Sequence, residues 1–267
     1  MLDPYFQKTK ERKFKALRNI VIWKLIENKL VNNAECLLFT CEEEKLLARQ
    51  NFKNYLPQNE HVVGLGIDTP PAFSENMTTA FVRKVPAWNG KPFILFLSRI
   101  HEKKGVDLLI KAYQRLEKEE QDFPQLIIAG PLESDYAKEM QNLAGNNKNI
   151  LFAGMLSDDA KWGAFYNCDC FILPSHQENF GIAIVEAMAC RKPVLISNKV
   201  NIWREIAEAG GGLVENDTEE GTYKLLKKYL SLSAEDKQAV GKSAFRAFEK
   251  YFSIEKSAEK MITALKE

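Results

Sequence analysis

The chain of 267 residues is poor in the residues that build metal centres, with three widely spaced histidines and five cysteines that form no CxxC pair. Zinc-ligand spacing is therefore absent, as are HExxH and the deaminase zinc signatures. Neither GxGxxG nor GxxxxGK[ST] occurs, so a dinucleotide fingerprint and a P-loop are both excluded. No apolar run approaches the ~20 residues that a helix needs to cross a bilayer, and the first residues lack the apolar core of a signal peptide. Net charge is also missing: 37 Lys+Arg stand against 36 Asp+Glu. Without a global field to steer nucleic acid, no nucleic-acid partner is expected. Cys36, Cys41, Cys168, Cys170 and Cys190 fall partly in apolar runs. They read as reduced, packed thiols in a cytoplasmic protein.

What is present is a regular alternation of short apolar runs and longer helical ones. From Pro92 the strands 92–98, 125–130, 149–154, 170–174, 193–197 and 212–215 are separated by helical patterns, with further helices near 218–231, 233–250 and 254–266. This predicts an α/β fold, a Rossmann-like parallel six-stranded sheet with helices on both faces. Ser233, with Asp236 three residues on, is a capping-box-like helix start. Residues 71–91, rich in Pro, Asn, Thr and Ser, read as a linker. The expected division is thus 1–70, the linker, a main domain at 92–250, and a C-terminal helix at 251–267. Residues 8–30 predict a basic amphipathic helix with Phe14, Leu17, Val21 and Leu25 at helical spacing. One reading is peripheral contact with an anionic membrane face; the other is a solvated face, or one meant for a neighbour.

The stretch from Ile172 to Ser197 carries the chemistry. In the helix opened by Gly181, Glu186 is the one carboxylate among apolar residues, and Ile182, Val185 and Ala189 share a face around it. Such a helix is expected to be buried nearly all round, and its carboxylate must find donors there. Glu178 lies eight positions earlier, in the loop leading to the helix's exposed N–H groups, which suit an anion. At the end of the first strand of the sheet, Arg99 and Lys104, next to Gly105, offer a fork and a point charge for a diphosphate. His101 and His176 lie in candidate loops with no partner at a set spacing, and read as ordinary loop histidines.

The frame PSxxExFGxxxxEAMA resembles the donor-site motif of family 4 retaining glycosyltransferases, and SRxxxKKG resembles the family's phosphate-holding element. That resemblance implies the GT-B fold, in which this chain supplies the donor domain and residues 1–70 a truncated remnant of the N-terminal, acceptor-binding domain. It also implies that Arg99 and Lys104 hold the donor's phosphates. Glu178 would meet the sugar, with Asn179, Phe180, Gly181 and Ile182 alongside. Glu186 would accept from the ribose hydroxyls, and Met155 and Leu156 would flank the base. Glu178, Arg99 and Lys104 are the catalytic candidates. The turn Gly64–Asp68 lacks the proline and asparagine of the family's PNGxD-like turn. No Asp-x-Asp occurs, so a metal-independent site with no cofactor is expected; the partners are a UDP- or GDP-sugar and an acceptor of the sugar, lipid or polysaccharide-precursor kind. A nucleotide-sugar binding module without turnover, an interaction protein that keeps the fold, and a GT-B epimerase are the other readings.

Overall fold

The computed structural model describes residues 13–50, 52–119 and 123–266. The chain forms two compact units, one of residues 1–66 with 251–267 and one of residues 67–250. The first begins with helix α1 (Lys13–Ile22), a π-helical turn (Trp23–Glu27) and helix α2 (Asn28–Asn33). Strand β1 (Leu37–Phe39), helix α3 (Glu42–Ala48) and strand β2 (Glu60–Val62) follow, the two strands pairing in parallel. Trp23 anchors this unit by stacking on Phe52 with ring centroids 4.5 Å apart and by donating its indole N–H to the Lys53 carbonyl. The basic helix predicted at 8–30 is present from Lys13, and residues 8–12 lie outside the described residues. Its buried positions are Asn19 and Trp23, while Leu17, Val21 and Leu25 are exposed. Spacing identified an apolar stripe but not the face that the rest of the unit covers.

The second unit opens with helix α4 (Glu75–Lys84), inside the stretch expected to be a linker. This corrects the expectation. Met77 and Phe81, one helical turn apart, are buried, and Phe81 stacks on Phe93 at 5.2 Å. Two anchors among Asn, Thr and Pro are too few to register as a period. Then come β3 (Phe93–Leu97), a 3₁₀ turn (Glu102–Lys104), α5 (Val106–Glu117), β4 (Leu126–Ala129), α6 (Asp135–Ala144), β5 (Ile150–Gly154) and α7 (Asp158–Asn167). They are followed by β6 (Cys168–Leu173), α8 (Ile182–Ala189), β7 (Val194–Ser197), α9 (Trp203–Glu208), β8 (Gly212–Glu215), α10 (Glu219–Leu230) and α11 (Ala234–Ala247). The last helix, α12 (Ile254–Ala264), belongs to the first unit.

The six strands β3–β8 form one parallel sheet in the order β5-β4-β3-β6-β7-β8. Phe93–Phe96, Leu126–Ala129 and Val194–Ile196 are buried throughout, as strands covered by helices on both faces must be. Ser233 caps α11 as its spacing predicts: its hydroxyl accepts from the Asp236 N–H at 3.1 Å and donates to the Asp236 carboxylate at 2.9 Å. Cys41, Cys168, Cys170 and Cys190 are buried free thiols. Burial pushes Cys168 and Cys190 up to about 12, so both stay protonated and inert at neutral pH. The order reverses between β3 and β6, and in open α/β sheets ligands bind beyond the carboxyl ends of the strands at such a point.

Helix α7 lies against α4 because Gly163 has no side chain. A Cβ there would stand 2.1 Å from the Met77 carbonyl oxygen. Gly163→Ala is expected to lower the unfolding free energy by about 1–3 kcal/mol, the range for overpacking, as read by urea denaturation.

Candidate functional site

Two loops meet at the reversal point. One leaves β3 and runs through Arg99 and the 3₁₀ turn to Gly105; the other leaves β6 and runs from Pro174 to Gly181. Gly105 permits the meeting. It adopts φ +67°, and a Cβ on it would lie 2.2 Å from the Pro174 carbonyl oxygen. The Lys103 carbonyl accepts from both the His176 N–H at 2.8 Å and the Ser175 hydroxyl at 2.7 Å. The second loop is held from its other side as well. Ser197 donates its hydroxyl to the Ser175 carbonyl, the Glu178 N–H reaches the Lys199 carbonyl at 3.0 Å, and the Asn201 N–H reaches the Glu178 carbonyl at 2.9 Å.

This framework places Lys104 against Glu178. The lysine is only 8% exposed, and its amine donates to the Glu178 carboxylate. Arg99 is exposed and makes no hydrogen bond or ion pair among the described residues. Of the two cations read as a diphosphate clamp, one is therefore open and the other engaged with a carboxylate. Asn179 accepts from the Asn201 amide at 3.0 Å. Phe180 and Leu156 are buried, so their side chains belong to the interior, whereas Met155 is 69% exposed.

Helix α8 starts at Gly181, which has φ +81°; a Cβ there would lie 2.6 Å from Ile184 Cδ1. No side chain caps this end, so its first N–H groups are left to other acceptors. The predicted face needs correction. Val185 and Ala189 are buried, while Ile182 is 52% exposed. Glu186, one turn beyond Ile182, lies between this exposed residue and the buried face, its side chain 14% exposed. An apolar composition marks a helix as covered, yet it does not separate a core face from a face that lines a site.

The donor that Glu186 requires is Lys161 of α7, whose amine lies 2.8 Å from Oε1 and 4.2 Å from the centroid of the Trp162 ring. Reading the residues did not identify this partner. A signal exists, since Lys161 is the only lysine or arginine between Lys148 and Arg191. A second missed residue is Asp217, after β8, whose carboxylate lies 3.0 Å from His176 Nδ1. His101 acts locally, its Nδ1 accepting from the Lys103 N–H to cap the 3₁₀ turn.

Residues 78–247, more than half of the chain, match the profile described as glycosyl transferases group 1. The chain belongs to this family. An uncharacterised glycosyltransferase of Methanocaldococcus jannaschii is 30% identical over 119 residues, 44% of this chain and 30% of the relative. The O-antigen chain mannosyltransferase C of Escherichia coli is 24% identical over 184 residues, 68% of this chain and 46% of the relative. This group 1 glycosyl transferase chain thus spans less than half the length of either relative. The crystal structure of Anabaena HepE in complex with UDP and glucose superposes with a TM-score of 0.76 at 17% identity, covering 99% of this chain and 69% of HepE. At that identity the likeness is one of fold, and the fold is GT-B.

The Lys104–Glu178 contact yields a test of the framework. Lys104→Met leaves a mostly buried carboxylate without its cation and is expected to cost about 1–3 kcal/mol in urea denaturation. Adding Glu178→Gln to that variant should recover part of the loss, because the unpaired charge is then removed.

Proposed function

We propose that this chain carries the donor half of a family 4 retaining glycosyltransferase, which moves a sugar from a UDP- or GDP-sugar to an acceptor without a metal or cofactor. The observation that carries this reading is the convergence of Arg99, Lys104, Glu178 and the uncapped start of α8 at the point where the strand order reverses. Glu186 stands one turn further along the same helix, its side chain 14% exposed. Breaking the bond between a sugar and a nucleoside diphosphate drives negative charge onto the leaving phosphate and positive charge onto the sugar ring. Arg99, Lys104 and the first N–H groups of α8 meet the former, because donors aimed at developing charge stabilise it strongly. Glu178 lies on the sugar side, where its carboxylate orients hydroxyl groups and faces the positive ring. Glu186 accepts from the ribose hydroxyls, and the exposed Met155 flanks the base. The two glutamates do not form the acid/base pair of a glycosidase. The mannosyltransferase name of the Escherichia coli relative and the UDP and glucose bound in HepE both support a nucleotide-sugar donor.

A nucleoside diphosphate at a hundred times its Kd is expected to stabilise the protein by ~2.7 kcal/mol, and a thermal-shift comparison of UDP, GDP and ADP reads both the binding and the base. Glu186→Ala should cut that shift to about half, since a tenfold weaker Kd leaves ~1.4 kcal/mol at the same concentration. Arg99→Ala should lower transfer by ~10²–10³ in a product assay, as loss of one preorganised donor does. No shift with any of the three nucleotides would refute the proposal. Binding with no transfer or hydrolysis would identify a binding module instead.

The exposed Leu17, Val21 and Leu25, interspersed with Arg18, Lys24 and Lys29, fit peripheral contact with an anionic lipid surface at the cytoplasmic face of a membrane. Among the described residues no helix is long and apolar enough to cross a membrane. Each basic residue near such a surface contributes ~1 kcal/mol, an attraction that salt screens. Sedimentation with phosphatidylserine vesicles should therefore be strong in low salt, weak in high salt and absent with neutral vesicles. Equal recovery with neutral vesicles would remove the electrostatic component.

A further inference from the structure

We infer that Lys161 is a positioning residue for Glu186, and that the pair makes the site select a ribonucleotide over its 2′-deoxy counterpart. The inference rests on the donor-site reading of Glu186 and adds a residue that no sequence motif of the chain contains. Glu186 is 14% exposed at its side chain, too deep to hold a charge without a partner. The Lys161 amine supplies that partner at Oε1, at 2.8 Å. The other carboxylate oxygen, Oε2, accepts no hydrogen bond among the described residues.

One oxygen tied down and one left open is the geometry that a neighbouring hydroxyl pair needs. A carboxylate free to rotate about its terminal bond presents its lone pairs in many directions, and that freedom must be lost when a ligand binds. Lys161 removes it beforehand. The lysine is itself well placed to hold still. Its own N–H bonds to the Ser157 carbonyl at 3.1 Å, its amine lies beside the Trp162 ring, and α7 is locked against α4 where Gly163 meets the Met77 carbonyl. Helix α7 also begins shortly after Met155 and Leu156. One short segment thus carries both the residue flanking the base and the cation that sets the ribose acceptor.

The test compares Kd values for GDP and 2′-deoxy-GDP, and for UDP and 2′-deoxy-UDP, by calorimetry. A hydrogen bond to a charged group accounts for a preference of about tenfold or more for the ribonucleotide in the unaltered protein. Lys161→Met should reduce that preference below about threefold while leaving the weaker binding of the deoxynucleotide nearly unchanged. Lys161→Arg should restore it. Because Lys161→Met leaves a charge uncompensated, thermal midpoints are recorded alongside, and the neutral double variant Lys161→Met with Glu186→Gln provides a folded reference that lacks the preference. A Lys161→Met protein that retains the full preference overturns the inference. An unaltered protein with no preference, or a Glu186→Ala protein that keeps one, overturns the donor-site reading beneath it.

Discussion

The site depends on a close approach of two backbones. The loops after β3 and β6 are the two that flank the reversal of strand order, and they can touch only where one of them has no side chain. Gly105 provides that point, with the Pro174 carbonyl where its Cβ would be. Once the loops are in contact, Lys103 ties Ser175 and His176 through its carbonyl, and Lys104 is carried into the Glu178 carboxylate. A lysine that is 8% exposed is tolerated there because its charge is met. Backbone geometry, loop pairing and ion pairing form one chain of cause.

Glu178 and Glu186 are each paired with a lysine, and the lysines come from different places. Glu178 meets Lys104 from the neighbouring loop, while Glu186 meets Lys161 from helix α7. Arg99 is left open. The two ion pairs hold both carboxylates in ordered positions, while Arg99 stays exposed. Low-dielectric surroundings make such ordering effective, because donors and acceptors that need not rearrange interact most strongly with charge that appears during reaction.

Much of this was legible in the order of residues alone. Six apolar runs separated by amphipathic ones specified a parallel sheet with helices on both faces. Arg99 and Lys104 stood out in the loop at the end of an apolar strand, Glu186 as the one carboxylate of an apolar helix, and Glu178 in the loop leading to that helix. Helix α4 was not legible, since Met77 and Phe81 are its two buried side chains and the residues around them resemble a loop. The side of α8 that stays open was not legible either, because apolar residues cover a core and line a pocket equally well.

What the linear order determined was therefore periodic or adjacent in the chain: strand and helix alternation, the Ser233 cap, glycines where the backbone must turn sharply. What the tertiary structure alone decided was which distant groups share a partner. Lys104 with Glu178, Lys161 with Glu186, and His176 with Asp217 are separated by 74, 25 and 41 positions. The physical reason is that period and propensity act over a few residues, whereas an ion pair forms between whichever groups the packed sheet brings within a few ångströms. Only the order of the strands sets that.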